Sequence, residues 1–317
     1  MMHNDKSEGV SVVAPFLNEE KSLVYFCRTL DDYAGTLNFP VEIVFVNDGS
    51  TDESIRVVQE YSFQHIGKVR LLNLSKNYGS HAAVRAGITK CYYDICTWLG
   101  TDLQEPLEIL PIAYEKIHSG EYEAVYFEKR TVKVSKFNRL FSKIYSHLMK
   151  KYAVKEYSSD GTATIAFGKK IKEVLNNNIE SNSSLMLQII DSGFHYVTVP
   201  LDYHERTIGV SKWTLAKKIK LFIDSFVAFS FMPIRMVSII GCIMFIIGLL
   251  IGVGSVINKL QNPSAPLGYT TIVSVLALGF GITNISLGII AEYLWRTYDA
   301  ARKRPVFIIS DDINLKN

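Results

Sequence analysis

Three short polar segments hold the residues that could do chemistry in this chain. The most acidic one reads Gly100-Thr101-Asp102-Leu103-Gln104-Glu105-Pro106. Alternate residues of an extended segment point the same way, so we expect the side-chain oxygens of Asp102 and Gln104 to face one ion. Hard oxygen ligands suit Mg²⁺ or Mn²⁺, which usually also take phosphate oxygens and water. The segment therefore predicts a divalent metal site that serves a phosphate-bearing ligand.

The other two polar segments carry groups that could bind a nucleotide. One reads Asn47-Asp48-Gly49-Ser50-Thr51-Asp52, and the other reads Ser75-Lys76-Asn77-Tyr78-Gly79. Asp48 is predicted to lie near a nucleotide, and Lys76 and Arg85 could balance the negative charge of its phosphates. Asp48 also has a plainer interpretation as a helix cap in an Asp-Gly-Ser turn, which the sequence leaves open.

An alternation of strands and helices positions these segments. Four apolar runs, at residues 9–16, 41–46, 69–74 and 94–99, are each typical of a buried strand, with helical patterns between them. Continuous apolar strands that alternate with helices favour an α/β fold with a mostly parallel sheet. Ligands of such sheets bind beyond the carboxyl ends of the strands, where each polar segment lies. Further strands are predicted at residues 122–127, 161–167 and 195–199, with helices near 133–151 and 183–192.

The end of the chain is apolar enough to suggest a membrane. Residues 236–257 and 269–294 are each long enough to cross a bilayer as a helix. Residues 213–231 have apolar side chains at helical spacing, with lysines on another face. This amphipathic helix fits a membrane interface or a domain core about equally well by periodicity, and its position favours the interface. We expect a soluble domain at 1–211, the amphipathic helix at 212–232, two transmembrane helices at 233–298 and a tail at 299–317.

Charge indicates the orientation and excludes one class of partner. Basic residues precede the first apolar stretch and follow the second, whereas the loop between them holds only Lys259. The positive-inside rule therefore predicts that the soluble domain and both termini are cytoplasmic. The polar residues 1–8 do not resemble a secretory signal. A net charge of +3 is too weak for nucleic acid as the main partner.

A soluble domain on a membrane anchor predicts an enzyme with one water-soluble and one lipid-borne substrate. Self-association through the membrane helices is compatible with the glycines at positions 279, 281 and 288, which would allow close packing.

Several motifs together make the chain resemble glycosyltransferase family 2. They are Val13-Ala14-Pro15-Phe16-Leu17-Asn18-Glu19-Glu20, Val46-Asn47-Asp48-Gly49-Ser50 and the acidic segment. The segments Arg206-Thr207-Ile208-Gly209-Val210-Ser211-Lys212-Trp213 and Glu292-Tyr293-Leu294-Trp295-Arg296-Thr297-Tyr298 resemble a narrower group. That group is the polyprenyl-phosphate glycosyltransferases, which include dolichyl-phosphate mannose synthase and the bacterial undecaprenyl-phosphate transferases. The best fit is to the bacterial enzymes, among them the formamido-arabinose transferases.

The resemblance implies a GT-A fold, which is a Rossmann-like α/β domain, and an inverting transfer from a nucleotide sugar to polyprenyl phosphate. It implies a uridine-linked donor with a hexose-type sugar, undecaprenyl phosphate as acceptor, and Mg²⁺ or Mn²⁺ as cofactor. Asp102 and Gln104 match the positions that hold the metal and diphosphate. The positions expected to bind the nucleotide sugar are Pro15, Leu17, Glu19, Asp48, Lys76 and Thr101.

The acceptor side is carried over from the same resemblance. Arg139 and Ser142 match the region that receives the lipid phosphate, and Arg206 and Lys212 match a loop that closes near the site. Asp160 matches an aspartate of the acceptor motif and would orient the sugar or act as a base. A lipid phosphate is already an anion and needs little deprotonation, so both roles stay open. Asp160 as a turn residue and Arg139 as a solvated side chain are the plainer alternatives.

Two departures from the family pattern keep other functions open. Gly100 and Asn47 both stand where the family usually has aspartate. The loss of negative charge beside the metal allows weaker metal binding, or a non-catalytic membrane scaffold that keeps nucleotide binding. A processive polysaccharide synthase is a further alternative, but the Gln-x-x-Arg-Trp motif of those enzymes is absent from the sequence.

Overall fold

The computed structural model describes residues 8–130, 162–179, 184–204, 232–262, 268–302 and 304–316. The chain divides into two compact units. The sheet unit comprises Met1–Ser225 and Pro305–Asn317, and the helical unit comprises Phe226–Arg304.

The described elements of the sheet unit alternate between strand and helix in its first half, as the sequence predicts. In chain order they are β1 (Val10–Phe16), α1 (Glu20–Ala34), β2 (Val41–Asn47), α2 (Ser54–Glu60), β3 (Lys68–Leu74), α3 (Ser80–Lys90), β4 (Ile95–Trp98), α4 (Ile109–His118), β5 (Ala124–Lys129), β6 (Thr162–Phe167), α5 (Lys169–Asn177), α6 (Leu185–Asp191), β7 (Tyr196–Leu201) and β8 (Ile309–Lys316).

These strands form one sheet in the order β7-β5-β6-β4-β1-β2-β3-β8. The pairs β1–β2, β1–β4, β2–β3 and β5–β7 are parallel. Strand β6 runs antiparallel to β4 and β5, and β8 runs antiparallel to β3. The predicted α/β class with a mostly parallel sheet is therefore confirmed.

Helices cover both faces of the central strands, which explains why those strands are apolar without alternation. On one face, the ring of Phe26 in α1 meets Phe45 of β2 edge to face, with centroids 6.2 Å apart. On the other face, α3 approaches β1 at Gly87, where an added Cβ would come within 2.3 Å of Val13 Cγ1. Every residue of β2 is buried as a result.

The last strand of the sheet was not anticipated from the sequence, which assigned residues 299–317 to a tail. Strand β8 lies at the edge of the sheet and pairs with β3 from Val69↔Lys316 to Leu74↔Ile309. The tail assignment therefore needs correction, because the chain returns to the sheet unit after the helical unit.

The helical unit contains two described helices, α7 (Met232–Gln261) and α8 (Tyr269–Arg302). Both predicted apolar stretches lie in these helices. Among the described residues, no helix meets the combined length and apolarity that a membrane span requires. The two transmembrane helices therefore stay a prediction. Apart from Met232, the predicted amphipathic helix at 212–232 lies outside the described residues.

Candidate active site

The sheet brings the three polar segments together at the edge where its parallel strands have their carboxyl ends. Phe16 at the end of β1 pairs with Asn47 at the end of β2, and Asn47 pairs with Asn73 near the end of β3. Strand β4 runs parallel to β1 and ends beside Val13, before the end of β1, and the Leu99 N–H donates to the Val13 carbonyl at 3.0 Å. The parallel register thus places each polar segment beyond a carboxyl end, the usual ligand position in such sheets.

The loops that follow β1 and β2 are tied to each other by reciprocal hydrogen bonds. The Asn18 N–H donates to Ser50 Oγ at 3.0 Å, and the Thr51 N–H donates to Asn18 Oδ1 at 2.8 Å. The Glu19 N–H donates to Ser54 Oγ at 2.9 Å. Asn18 adopts a left-handed backbone with φ 52°, which asparagine tolerates better than most residues. The two loops therefore form one braced surface.

Asp52 links the starts of two helices within this surface. Its Oδ2 accepts the Glu20 N–H at 3.2 Å, and its Oδ1 accepts the Ser54 N–H at 3.1 Å. Burial opposes ionisation of Asp52, but the hydrogen bonds from Ser54 and Glu20 together lower its pKa below the usual 3.8. The carboxylate satisfies backbone donors that would otherwise lack partners at the helix starts.

Asp48 holds the third polar segment against the second. Its side chain is buried, and its two oxygens accept the N–H groups of Tyr78 at 2.7 Å and Gly79 at 2.9 Å. Burial raises the pKa of Asp48, and these two hydrogen bonds only partly offset that effect. Gly49, at φ +81°, lies so close that an added Cβ would be 2.9 Å from the Asn77 nitrogen.

The plain interpretation of Asp48 as a cap of α2 is therefore wrong. That helix begins after Glu53, whose own side chain makes no capping hydrogen bond, and Asp52 rather than Asp48 accepts the N–H of its first residue, Ser54. Asp48 instead holds the backbone N–H groups of Tyr78 and Gly79 in the turn that leads into α3.

The acidic segment forms a turn rather than the extended run expected from the sequence. The Leu103 N–H donates to the Gly100 carbonyl at 3.1 Å, and Leu103 has φ +51°. The Gln104 N–H donates to Asp102 Oδ1 at 3.4 Å. A left-handed leucine is unusual and persists only where its surroundings impose it. Here Leu103 packs against the hydrophobic core.

Two carboxylates converge on Gly100. The Gly100 N–H donates to Glu105 Oε2 at 3.1 Å. A Cβ at position 100 would lie 2.9 Å from Asp102 Oδ1 and 3.2 Å from Glu105 Oε2. Burial raises the pKa of Glu105, backbone hydrogen bonds that include the one from the Gly100 N–H partly offset this, and the charge of Asp102 raises the pKa further while Lys129 opposes it. The glycine thus leaves room for both acidic groups, and an added side chain would require at least one of these carboxylates to move.

These oxygens fit a hard divalent cation. Asp102, Gln104 and Glu105 offer carboxylate and amide oxygens of the kind that Mg²⁺ and Mn²⁺ prefer. Within the described residues, no group of three or more acidic, histidine or cysteine side chains is placed to hold a metal. A cation bound here would therefore take its remaining ligands from phosphate oxygens and water.

The remaining donor-side residues differ in exposure. Pro15, Leu17 and Glu19 are half-buried beside the braced loops, and Thr101 is buried. Lys76 is exposed, with its Nζ 5.1 Å from the ring centre of Tyr78. A sixth candidate, Arg85, was considered from the sequence for phosphate binding.

Arg85 has a structural contact instead. Its buried guanidinium donates to Gln188 Oε1 of α6, which braces α3 against α6. This contact favours a packing role for Arg85 over the phosphate contact suggested by the sequence.

The acceptor-side candidates Arg139, Ser142, Asp160, Arg206 and Lys212 lie outside the described residues. In the sheet unit, the described residues next to these segments lie at the carboxyl-end edge of the sheet. Strand β6 begins there, with Thr162 paired to Glu128 near the end of β5. After β7, the His204 N–H donates to the Gln104 carbonyl at 2.9 Å, next to the acidic turn.

Three residues near the candidate site were not singled out from the sequence: Glu105, Asp52 and Lys129. Lys129 ends β5 and lies over the ring of Tyr203, with its Nζ 4.9 Å from the ring centre. Glu105 could have been suspected from the glycine at position 100, since a missing side chain leaves space for a neighbouring one. Asp52 could have been suspected as the second carboxylate of a loop that precedes a helix.

Comparison with known proteins gives a family match over much of the chain. The model of the family described as Glycosyl transferase family 2 matches residues 11–174. An undecaprenyl-phosphate 4-deoxy-4-formamido-L-arabinose transferase of Klebsiella pneumoniae (strain 342) is 30% identical over 302 residues, covering 95% of this chain and 92% of that protein. A protein of the same name from Pseudomonas savastanoi pv. phaseolicola is also 30% identical, covering 95% of this chain and 89% of its own.

Among solved structures, the mannosyltransferase PcManGT from Pyrobaculum calidifontis in complex with GDP-Man and Mn²⁺ is similar to the chain at a TM-score of 0.44. The sequences are 14% identical, and the match covers 93% of this chain and 89% of that one.

Proposed function

Because the chain belongs to glycosyl transferase family 2 and is a glycosyltransferase, we propose that it transfers a sugar from a uridine-linked nucleotide sugar to undecaprenyl phosphate. The relatives named above act, by their names, on undecaprenyl phosphate and 4-deoxy-4-formamido-L-arabinose. The hexose-type sugar expected from the sequence differs from the arabinose derivative in the names of these relatives, so a test of the proposal compares both sugars.

The observation that carries the proposal is the convergence of Asp102 and Glu105 beside two braced loops. A nucleotide sugar presents a diphosphate, which binds where a cation and backbone N–H groups can both reach it. The loops around Asp48 and Asn18 are fixed by hydrogen bonds before any ligand arrives. Preorganisation of this kind lowers the entropic cost of binding a flexible donor.

The proposed reaction is a single displacement at the anomeric carbon. A phosphate oxygen of the lipid attacks that carbon, a new C–O bond forms, and the bond to the diphosphate oxygen breaks with inversion. The leaving group takes the electron pair as a nucleoside diphosphate. A bound Mg²⁺ or Mn²⁺ would supply charge stabilisation for that leaving group, with Asp102 and Gln104 as protein ligands. Because the nucleophile is already anionic, most of the work of the enzyme is positioning.

We assign residues of this chain to donor binding, to acceptor binding and to orientation of the sugar. Asp48 fixes the turn before α3 and so shapes the donor side of the site. Arg139, with Ser142, is proposed to receive the lipid phosphate, and charge-assisted hydrogen bonds suit that role. Asp160 is proposed to orient the sugar or accept a proton. Further donor-side and loop positions in the proposal are Pro15, Leu17, Glu19, Lys76, Thr101, Arg206 and Lys212.

We also propose that the helical unit attaches the protein to the cytoplasmic face of a membrane, with both termini cytoplasmic. Large apolar side chains are exposed on both helices, including Leu250 at 66%, Leu260 at 77% and Phe280 at 67%. Exposed apolar surface of this extent usually contacts a partner or a membrane. Because the proposed acceptor is a lipid, we propose that a bilayer covers it. Self-association of the helical unit stays a prediction.

A donor screen tests the proposed function. Protein purified in detergent would be mixed with undecaprenyl phosphate, Mn²⁺ or Mg²⁺, and radiolabelled nucleotide sugars that include 4-deoxy-4-formamido-L-arabinose and hexoses. Label in the organic phase would establish the reaction and identify the sugar. Asp102→Asn is the matched control, since it keeps the shape of the side chain but removes its negative charge.

The alternative function to distinguish from the proposed transferase is a non-catalytic membrane scaffold that keeps nucleotide binding. Isothermal titration of a donor with and without Mn²⁺ distinguishes the two. Donor binding that gains nothing from Mn²⁺, combined with no labelled lipid for any donor, would contradict the proposed transferase.

A further inference from the structure

The last strand of the chain borders the proposed donor site. Strand β8 runs antiparallel to β3, and its residues near Ile309 lie at the carboxyl end of β3. The Ser75 N–H donates to the Ile308 carbonyl at 2.9 Å, which fixes the start of the third polar segment. Ser310 Oγ donates to the Asn73 carbonyl at 3.0 Å. Three consecutive residues of the C-terminal segment thus touch the end of β3.

Side chains continue this contact inward through the two neighbouring strands. Asn73 Nδ2 donates to Asp311 Oδ2 at 3.5 Å, and Asn47 Nδ2 donates to Asn73 Oδ1 at 3.1 Å. Asn47 Oδ1 in turn accepts the Ser50 N–H at 2.8 Å. Ser50 Oγ accepts the Asn18 N–H at 3.0 Å. A line of hydrogen bonds therefore runs from β8 through β3 and β2 to the loop after β1.

The inner part of this line is sensitive to change because it is buried. Asn47 is only 3% exposed, and it directly precedes Asp48, whose carboxylate holds residues 78 and 79. A buried polar group that loses its partner costs more than an exposed one. Movement of Asn73 would thus change the turn at Asn47–Ser50, which forms part of the proposed donor site.

We propose that strand β8 positions the donor-binding loops, with Asn73 as the positioning residue that connects Asp311 to Asn47. This inference rests on the proposed function, because it assigns the strand a role in binding the nucleotide of that same site. It also explains why asparagine suits position 47, since its amide donates to Asn73 while its carbonyl accepts from Ser50. An aspartate there would keep only the accepting half of this arrangement.

The neighbouring residue of β8 provides a matched control. Successive residues of a strand point to opposite faces of the sheet, so Asp312 faces away from Asp311. Asp312 pairs with Arg70 at 3.3 Å and with Lys90 at 2.9 Å. Asp312→Asn therefore weakens a charged contact of the same strand without touching the line of hydrogen bonds.

Three variants isolate the proposed role. Asn73→Leu removes both side-chain hydrogen bonds of position 73. Asn73→Asp keeps the acceptor for Asn47 but places a carboxylate opposite Asp311. The double variant Asn73→Asp/Asp311→Asn reverses donor and acceptor, so that the amide at position 311 can donate to the carboxylate at position 73. Recovery in this double variant is the result that a merely structural role for either residue would not produce.

The experiment uses the full chain in detergent, with UDP as the probe in the presence of Mn²⁺. We expect Asn73→Leu to raise the Kd of UDP about threefold to tenfold, the effect of one net hydrogen bond. Asn73→Asp should raise the Kd about twofold to fivefold, as exposed like charges do, and the double variant should restore it. Asp312→Asn should lower the melting temperature but leave the Kd unchanged.

Hydrogen exchange of residues 47–52 provides a second readout that does not depend on UDP. Faster exchange in Asn73→Asp that returns to the wild-type rate in the double variant supports the proposal. Unchanged exchange and unchanged Kd in both single variants would overturn it. If the wild-type protein binds no UDP, the proposed donor class fails, and hydrogen exchange alone then decides whether β8 positions the loops.

Discussion

A substitution that restores the usual family residue at position 100 should impair this protein. The family pattern has aspartate where this chain has Gly100, so the simplest expectation is that Gly100→Asp strengthens metal binding. The geometry predicts the opposite. Even the Cβ of the new side chain would lie 2.9 Å from Asp102 Oδ1 and 3.2 Å from Glu105 Oε2.

The free-energy cost of Gly100→Asp follows from which of the two carboxylates must move. Overpacking a filled site costs about 1–3 kcal/mol. If Glu105 swings out to make room, its hydrogen bond to the Gly100 N–H is lost, which costs on the order of 1.5–3 kcal/mol for a charged acceptor. Both carboxylates are the ends of flexible side chains, so we expect a total near the lower end, about 2.5 kcal/mol. A shift of Asp102 by about 1 Å would lower the transfer rate about a hundredfold.

Gly100→Ala is the control that separates space from charge, because it adds the same Cβ without a carboxylate. Thermal unfolding, the Kd of Mn²⁺ followed by its electron paramagnetic resonance signal, and the rate of lipid labelling should be measured for both variants. We expect both variants to lose stability and activity, with the larger loss for Gly100→Asp because it adds a third negative charge. Tighter Mn²⁺ binding and faster transfer by Gly100→Asp would refute the view that Glu105 occupies the place of the missing side chain.

Three further predictions concern the carboxylates that organise the sheet unit. Asp31→Ala should lower the free energy of unfolding by about 3 kcal/mol in urea titrations, since buried Asp31 accepts the N–H groups of residues 64, 65 and 66; a loss below about 0.5 kcal/mol would contradict this. Asp48→Asn should lower stability by about 1–3 kcal/mol and weaken donor binding, because an amide can accept only one of its two N–H groups through oxygen; unchanged calorimetric titration of the donor would argue against it. The pKa of Asp52 is lowered in the folded protein, so its stabilising effect is complete above about pH 3.8 and is lost as the pH falls through the lower folded value; the difference in urea midpoint between wild type and Asp52→Asn should shrink in that range, and a constant difference would count against the assignment.

The central part of the fold was predictable because its signals are local and strong. Strands β1 to β4 are continuous apolar runs, and a polar segment follows each at or near its end. A parallel sheet then places those segments at one edge without further information. The sequence therefore predicts that Asp48 and Asp102 lie at the edge of the sheet where the parallel strands end, and the register confirms it.

The partners of those residues were not predictable from local patterns. Asp48 accepts N–H groups from residues 78 and 79, which no periodicity links to position 48. The turn at Gly100 depends on a left-handed Leu103, a conformation that its side chain disfavours and that the packing of the core imposes. Tertiary contacts thus decided what local preference could not.

Strand β8 was missed for a different physical reason. Its sequence Ile-Ser-Asp-Asp-Ile-Asn-Leu-Lys carries acidic and polar residues, as exposed edge strands often do. Its partner β3 lies about 240 residues earlier in the chain, as the hydrogen bond between Asn73 and Asp311 illustrates. No short-range pattern reports a pairing over that separation.

The return of the chain to β3 makes the helical unit an insertion within the sheet unit rather than an appendage at its end. A truncation that stops before residue 226 would remove β8 and leave the polar backbone groups of β3 as an open edge, which invites aggregation. Deletion of residues 226–304 alone would keep the strand. The same order governs synthesis, because β8 leaves the ribosome after the helical unit. The sheet can therefore be completed only after the whole helical unit has been made.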